Sequence, residues 1–372
     1  MKDLRNAIVI SILVLCILIM LFTIVASASY ELGVSARAFA LYEPVTGTFI
    51  KSQNADLHLP MASTTKIMTG LIAIENCSLD EIVEIPKEAV GIEGSSIYLR
   101  EGDRISVCDL LYSLLLQSAN DAATALALKI SGDIASFSEL MNSRAADMGL
   151  TDTHFDNPHG LDSESHYTTA HDLAIIAAEA LKNPTFRSIT STYKHSFTIS
   201  ENQRTVVNHN KLIKSYDGAI GVKTGFTRTS GRCLVSAAER DGLSLIAVTL
   251  DAPNDWSDHT KMLNLGFSAY TADNPEDLTD TTFTIPVIGS DTGKITAVIK
   301  NIDEIHLIRP KDEPLHKAYV DIKQYVIAPI KPGDKVGEVV FKLDDTVVAR
   351  ADIIATSRAS KKNYKHNIFD IF

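Results

Sequence analysis

The stretch Ser63-Thr64-Thr65-Lys66-Ile67-Met68-Thr69-Gly70-Leu71-Ile72-Ala73-Ile74-Glu75-Asn76 decides how this chain is read. Ile67, Met68, Leu71, Ile72 and Ile74 recur at helical spacing, which predicts a buried helix over 63–76. Ser63 opens it and Lys66 follows three residues later on the same helical face, bringing an amine within reach of a hydroxyl. A serine hydroxyl is a poor nucleophile unless a neighbouring base takes its proton during attack. Alone, the Ser-x-x-Lys spacing is weak, and the chain repeats it at Ser191 and Lys194. That repeat, together with Ser200 and Asn202, is crowded into one alternating, strand-like stretch, whereas Ser63 begins an apolar helix.

Working outward, Val107 to Leu116 and Asp121 to Ile130 are two further apolar helices, with Ser118-Ala119-Asn120 between them as a predicted cap for the second. Helices are also predicted over 139–148 and over 169–181, the latter stopping before Asn183-Pro184. Tyr42-Glu-Pro-Val-Thr-Gly47 reads as a hairpin turn. Residues 219–224, 232–238 and 244–250 read as adjacent antiparallel strands, and Lys223-Thr224-Gly225 lies on the first of them. Asp255 to Ala272 closes this part as a helix. From Pro275 to Thr356 the pattern is almost wholly strand-like. The predicted fold class is therefore α+β, an antiparallel sheet flanked by helices, followed by a small C-terminal all-β domain. The expected division is 35–272, 275–356 and a basic and apolar tail over 357–372.

With 372 residues, 45% of them hydrophobic, the chain is large enough for two domains, each with a core of its own. Its 46 acidic and 35 basic residues leave a net charge of -11, which argues against nucleic acid as a partner. Cys16, Cys77, Cys108 and Cys233 have no metal-ligand spacing and read as buried small hydrophobes. The first residues, Met1-Lys-Asp-Leu-Arg5, precede an apolar run from Ala7 to Ala26 and then Ser27-Ala28-Ser29. Residues 1–28 thus read as a secretory signal peptide cleaved after Ala28, with a retained membrane anchor as the alternative. At the other end, Arg358, Lys361, Lys362 and Lys365 precede Ile368-Phe369-Asp370-Ile371-Phe372, a solvated tail with contact to anionic lipid as the second reading.

Three motifs in fixed order suit one chemistry. Lys66 is the candidate base for Ser63, its pKa lowered by the helix N-terminus and by Lys223. The Ser63 backbone N–H, with that of Phe226, is a candidate donor to an oxyanion. Ser118 offers a hydroxyl for returning the proton to a leaving amine, and Asn120 an amide for orienting Lys66 or the substrate. Lys223 supplies a fixed charge and Thr224 a hydroxyl for a carboxylate, while Gly225 lets a ligand come close to the strand. Singly, Ser63 and Asn120 read as caps and Lys223-Thr-Gly as a turn; jointly, chance is a poor account. His154, His159, His171, Asp121 and Asp156 read as loop, turn and cap residues, with His159 at the rim of the pocket, and no metal is expected.

The blocks Leu59-Pro-Met-Ala-Ser-Thr-Thr-Lys-Ile-Met-Thr69, Leu110 to Ala123, Phe155-Asp-Asn-Pro-His-Gly-Leu161, Thr168-Thr-Ala-His-Asp-Leu173 and Gly221-Val-Lys-Thr-Gly-Phe-Thr227 resemble, in order, those of serine-type D-alanyl-D-alanine carboxypeptidases, the low-molecular-weight penicillin-binding proteins. Ala119 stands where other branches of that superfamily carry Asp or Gly. The resemblance implies a penicilloyl-serine transferase fold, Ser63 as the acylated nucleophile, Lys66 as proton acceptor with Ser118 and Asn120 as partners, and Lys223 with Thr224 as the carboxylate clamp. It implies a peptidoglycan stem peptide ending in D-Ala-D-Ala as substrate, β-lactams as inhibitors, no cofactor, and a place at the extracytoplasmic face of a bacterial membrane. A D,D-endopeptidase, a β-lactamase and a non-catalytic wall-binding or sensory protein are the alternatives.

Overall fold

The strand β1 (Ala38–Glu43) is buried at every position, as an apolar strand covered on both faces must be. Ala38, Ala40 and Tyr42 face one apolar cluster and Phe39 and Leu41 the other, the period-two alternation of a pleated strand. The computed structural model describes residues 32–362 apart from Asn274 and Asp344. The expected signal segment, Cys16 and the tail from residue 363 onward lie outside the described residues.

β1 turns back into β2 (Thr48–Gln53) through the predicted hairpin, where the Glu43 carboxylate accepts hydrogen bonds from the Val45 and Thr46 N–H groups at 2.8 Å each. Two short ribbons follow in the chain, β3 (Ile82–Glu84) with β4 (Arg104–Ser106), and β5 (Lys194–Ile199) with β6 (Asn202–Val207). The central sheet is completed by β7 (Ala219–Thr227), β8 (Gly231–Arg240) and β9 (Leu243–Leu250), in the order β2-β1-β9-β8-β7 with every neighbour antiparallel. β7 is thus an edge strand.

The helices are α1 (Lys66–Asn76), α2 (Val107–Leu116), α3 (Asn120–Ser131), α4 (Ile134–Asp147), α5 (Ala170–Lys182), α6 (Pro184–Ser191), a single turn α7 (Leu212–Ser215), and α8 (Asp255–Ala269). α1 to α6 build the cluster on one face of the sheet; α8 covers the other through Met262 and Leu263. Leu110, Leu111 and Leu114 of α2 are wholly buried, each stabilising the fold by about 1.5–3 kcal/mol.

Beyond the central sheet, β10 (Tyr270–Asp273) pairs with β13 (Leu307–Pro310). The remaining strands are β11 (Thr282–Ile288), β12 (Lys294–Ile299), β14 (Lys317–Ile322), β15 (Val326–Ile327), β16 (Lys335–Leu343) and β17 (Thr346–Ala355). They form a six-stranded sheet in the order β14-β16-β17-β12-β11-β15, over a separate core that includes Ile285, Ile295, Val339, Phe341 and Ile353. The fold is α+β with an all-β C-terminal domain. The β10–β13 ribbon joins the two cores, since Leu307 packs into the C-terminal one and Ile308 into the one beneath α8.

Several expected boundaries move. Ser63 does not open an α-helix: residues 62–65 form a 3-10 turn, because the Thr64 and Thr65 hydroxyls donate back to the Met61 and Ala62 carbonyls at 2.6 and 2.8 Å and Ala62 is left-handed, with φ +47°. The cap expected from Ser118-Ala-Asn120 is not made by a side chain; Ala119 occupies the position and Asn120 is already helical. α4 starts earlier than the periodicity suggests, since Asp133 caps it by accepting from the Ser136 N–H at 2.8 Å. α6 is an addition, seeded by the Asn183 cap and by Pro184 in the first turn. α8 ends at Ala269, because Tyr270 and Thr271 find strand partners in β13. Cys233 is buried, but Cys77 and Cys108 are half-exposed.

Candidate active site

The 3-10 turn that carries Ser63 crosses edge strand β7 at Gly225. A Cβ there would lie 3.1 Å from both the Met61 carbonyl and the Ser63 N–H nitrogen, so the absence of a side chain lets the two segments touch. On one side Gly225 is thus met by the protein's own turn, while it also lines the cleft beside Ser63. One residue after that turn, Lys66 begins α1, and its Nζ lies 3.0 Å from Ser63 Oγ. Lys66 is wholly buried. Burial first, then the neighbouring Lys223, hold its pKa well below the ordinary lysine range, with Asp121 opposing. The sequence assigned this shift to the helix N-terminus and Lys223; the structure makes burial the leading cause.

Nζ of Lys66 also donates to the His159 carbonyl at 2.5 Å. The loop over 155–161 that presents this oxygen is held closely. Thr69 Oγ1 donates to the Pro158 carbonyl at 2.6 Å, and Asn157 Oδ1 accepts from the Gly160 N–H at 2.7 Å. Gly160, at φ +88°, sits against the nucleophile turn, where a Cβ would come within 1.9 Å of the Ala62 carbonyl oxygen. His159 thus enters the site through its backbone, while its ring, pushed down to about 3 by burial, stays neutral.

Ser118 turns the chain between α2 and α3 with a left-handed backbone, φ +63°. Asn120 donates its side-chain amide to the Glu93 carbonyl at 2.5 Å and its N–H to the Ser95 carbonyl at 2.7 Å. Its Oδ1 is buried with no hydrogen-bond partner among the described residues, an acceptor that a bound amide N–H would satisfy. Asp121, read from sequence as a cap, anchors the same loop: its buried carboxylate accepts from Ser96 Oγ at 2.6 Å and from the Ile97 and Leu99 N–H groups.

On β7, Lys223 is nearly wholly buried and donates to the Thr224 carbonyl at 2.8 Å. Burial brings its pKa down to about 7, so the charge expected to be fixed titrates near neutrality. Ser63, Ser118, Thr224, Gly225, Phe226 and Trp256 line one cleft of about 310 Å³. Phe226 is exposed at the mouth. The buried Lys223 lies close enough for its charge to bear on Lys66. The decoy Ser191 ends α6, and Ser200 sits on the β5–β6 turn, outside the cleft.

Of the histidines singled out from sequence, His154 pairs with the Ser165 carbonyl and His171 with Asp56, both away from Ser63. Among the described residues no three His, Cys, Asp or Glu side chains converge as a metal site would require. Sequence reasoning missed the Glu93 and Ser95 carbonyls, the His159 carbonyl and His166. Backbone oxygens carry no residue signature, and His166 is seen only once Thr65 is placed beside it.

A serine and a desolvated amine in hydrogen-bond contact, with a second buried amine close by, are the features of serine acyl-transfer enzymes of the penicillin-binding class. The comparisons agree: residues 24–254 match the family described as D-alanyl-D-alanine carboxypeptidase, and residues 279–361 match the C-terminal domain of penicillin-binding protein 5. The chain belongs to the D-alanyl-D-alanine carboxypeptidase family. It is 32% identical over 346 residues to D-alanyl-D-alanine carboxypeptidase DacF of Bacillus subtilis, covering 90% of this chain and 88% of that one. It is 40% identical over 244 residues to the D-alanyl-D-alanine carboxypeptidase of a Streptomyces species, covering 60% and 84%. Penicillin-binding protein 5 from Haemophilus influenzae superposes with a TM-score of 0.67 at 26% identity, over 88% of this chain and 98% of that one.

Proposed function

We propose that this protein is a serine D-Ala-D-Ala carboxypeptidase that removes the terminal D-Ala from peptidoglycan stem peptides through an acyl-enzyme on Ser63. The observation that carries the reading is Lys66, a wholly buried amine 3.0 Å from the Ser63 hydroxyl, whose pKa burial and Lys223 hold well below the ordinary lysine range. Lys66 takes the Ser63 proton as Oγ attacks the carbonyl of the penultimate D-Ala. The oxyanion that forms is met by the Ser63 and Phe226 N–H groups. The proton returns through the Ser118 hydroxyl to the departing amine of the terminal D-Ala, whose carboxylate rests on Lys223 and Thr224. Asn120 Oδ1 accepts from a substrate amide. Water then attacks the ester, Lys66 again taking its proton, and restores Ser63. A β-lactam enters the same sequence, but its leaving amine stays tethered in the cleft.

The division into a catalytic domain over 35–272, a β-domain over 275–356 and a tail over 357–372 is part of the same reading. Residues 1–28 are the export segment that takes the enzyme to the outer face of the membrane, cleaved or kept as an anchor. A β-lactamase is disfavoured by the loop facing Ser63, which offers carbonyls where that activity needs a carboxylate to activate water. The acids in and beside that loop have partners: Asp156 accepts from Ser165, and Asp162 from Thr227.

Labelled penicillin tests the proposal. Wild type becomes covalently labelled, and Ser63→Ala, folded to the same melting temperature, does not; label on Ser63→Ala, or none on wild type, sinks it. Release of D-Ala from a pentapeptide, faster than hydrolysis of penicillin, separates carboxypeptidase from β-lactamase.

A further inference from the structure

His166 lies beneath the nucleophile turn, 3% exposed, and its ring nitrogens both have partners. Nδ1 accepts from the backbone N–H of Asp156 at 3.0 Å. The single ring proton of the neutral imidazole must therefore sit on Nε2, which lies 2.7 Å from Thr65 Oγ1 and donates to it. Thr65 in turn donates its own proton to the Ala62 carbonyl at 2.8 Å, in the residue just before Ser63. The result is a one-directional relay from Asp156 N–H through the ring and the threonine hydroxyl to the nucleophile turn. A protonated ring would set a second N–H against that of Asp156. Burial keeps the ring neutral, holding its pKa near 4, with Asp156, His154, Asp162 and Lys66 as the charges that face it.

The two ends of this relay belong to the two segments whose spacing decides how Lys66 is held. Asp156 is in the loop whose His159 carbonyl accepts from Lys66, and Ala62 is in the turn that displays Ser63. A neutral amine has two N–H bonds and one lone pair. When the carbonyl takes one N–H, the lone pair is kept off that direction and left to meet the Ser63 hydroxyl 3.0 Å away. We propose that His166 is a positioning residue for acylation, locking the loop over 155–161 onto the nucleophile turn so that Lys66 keeps its lone pair on Ser63. His166 itself touches none of the reacting atoms. The inference rests on the acyl-enzyme proposed above.

Stopped-flow acylation by a fluorescent penicillin tests it, resolving the saturating rate from the non-covalent dissociation constant. His166→Asn keeps an acceptor for Asp156 but loses the donor to Thr65. It acylates about 10- to 100-fold more slowly with an unchanged dissociation constant, because a misplacement of about an ångström costs that much. His166→Gln, whose amide reaches Thr65, recovers most of the rate. Thr65→Val is slowed alike without touching the histidine, and the double variant is no slower than either single one. Acylation of His166→Asn or Thr65→Val within twofold of wild type overturns the inference, as does additive slowing in the double variant. So does a loss confined to the dissociation constant. No label on wild type would remove the acyl-enzyme and this inference together, whereas labelled wild type with unslowed variants removes this one alone.

Discussion

Replacing Gly160 with alanine tests how tightly the catalytic lysine is held. The added Cβ would stand 1.9 Å from the Ala62 carbonyl oxygen, where real contacts do not fall below 3.0 Å, so the loop and the nucleophile turn must part by the difference, about 1.1 Å. Both neighbours at that point are backbone or a hydrogen-bonded threonine, so no flexible side chain can absorb the movement. The left-handed φ of +88° adds strain for any residue with a Cβ, of about 1–2 kcal/mol. Parting by that distance stretches the 2.5 Å contact between Lys66 and the His159 carbonyl beyond hydrogen-bond range. The expected outcome is a loss of roughly 100-fold in the rate of penicillin acylation, with a fall in melting temperature of about 4 °C or less for a chain of this size. Stopped-flow fluorescence and thermal denaturation monitored by circular dichroism measure the two. Acylation of Gly160→Ala within threefold of wild type, with melting unchanged, would refute the reasoning.

Two further outcomes follow from the ionisable groups. Lys223 titrates near 7 and a substrate carboxylate binds only its charged form, so KM for a D-Ala-D-Ala peptide should climb as pH rises through 7, by up to about tenfold per unit. Lys223→Arg, charged throughout, should flatten the climb; a wild-type KM that stays level between about pH 6 and 9 would contradict this. Second, His159 and His259 are held near 3 and His166 near 4, each below the value near 6.5 of an unfolded histidine, so the folded state keeps all three neutral. The stability they lend is complete above about 6.5 and is lost progressively as pH falls toward those folded values. The melting temperature should therefore fall between about pH 6.5 and 4, less so in His259→Gln, which removes the ring bonded to Ser236 and Thr249. An identical slope in that variant would count against it.

Fold class was legible because pattern is written in the side chains: the stripe of α1 points to one buried face, and the short apolar runs of β1, β8 and β9 to strands covered on both. Boundaries were less so. Whether Ser63 starts a helix or a 3-10 turn depends on hydroxyls of Thr64 and Thr65 bonding backward, which no hydrophobic pattern records. The three motifs marked Ser63, Lys66, Ser118, Lys223 and Thr224 because their chemistry depends on side-chain type. What surrounds them was hidden for the opposite reason. Lys66 is held by the carbonyl of His159, and Asn120 by those of Glu93 and Ser95, atoms every residue possesses. Gly225 was noticed for its lack of a side chain toward a ligand, and only the crossing of chain segments shows that the same lack also lets the nucleophile turn pack against β7.

The two desolvated lysines carry a consequence for the whole molecule. Each prefers to hold a proton in the unfolded chain at neutral pH, and the folded interior weakens that hold on Lys66 and brings Lys223 down to about 7. Folding is therefore coupled to deprotonation, and the same microenvironment that sharpens reactivity works against the native state until the medium turns alkaline. Natural selection for a nucleophile of this kind is, in this architecture, also selection for a surrounding scaffold rigid enough to tolerate it.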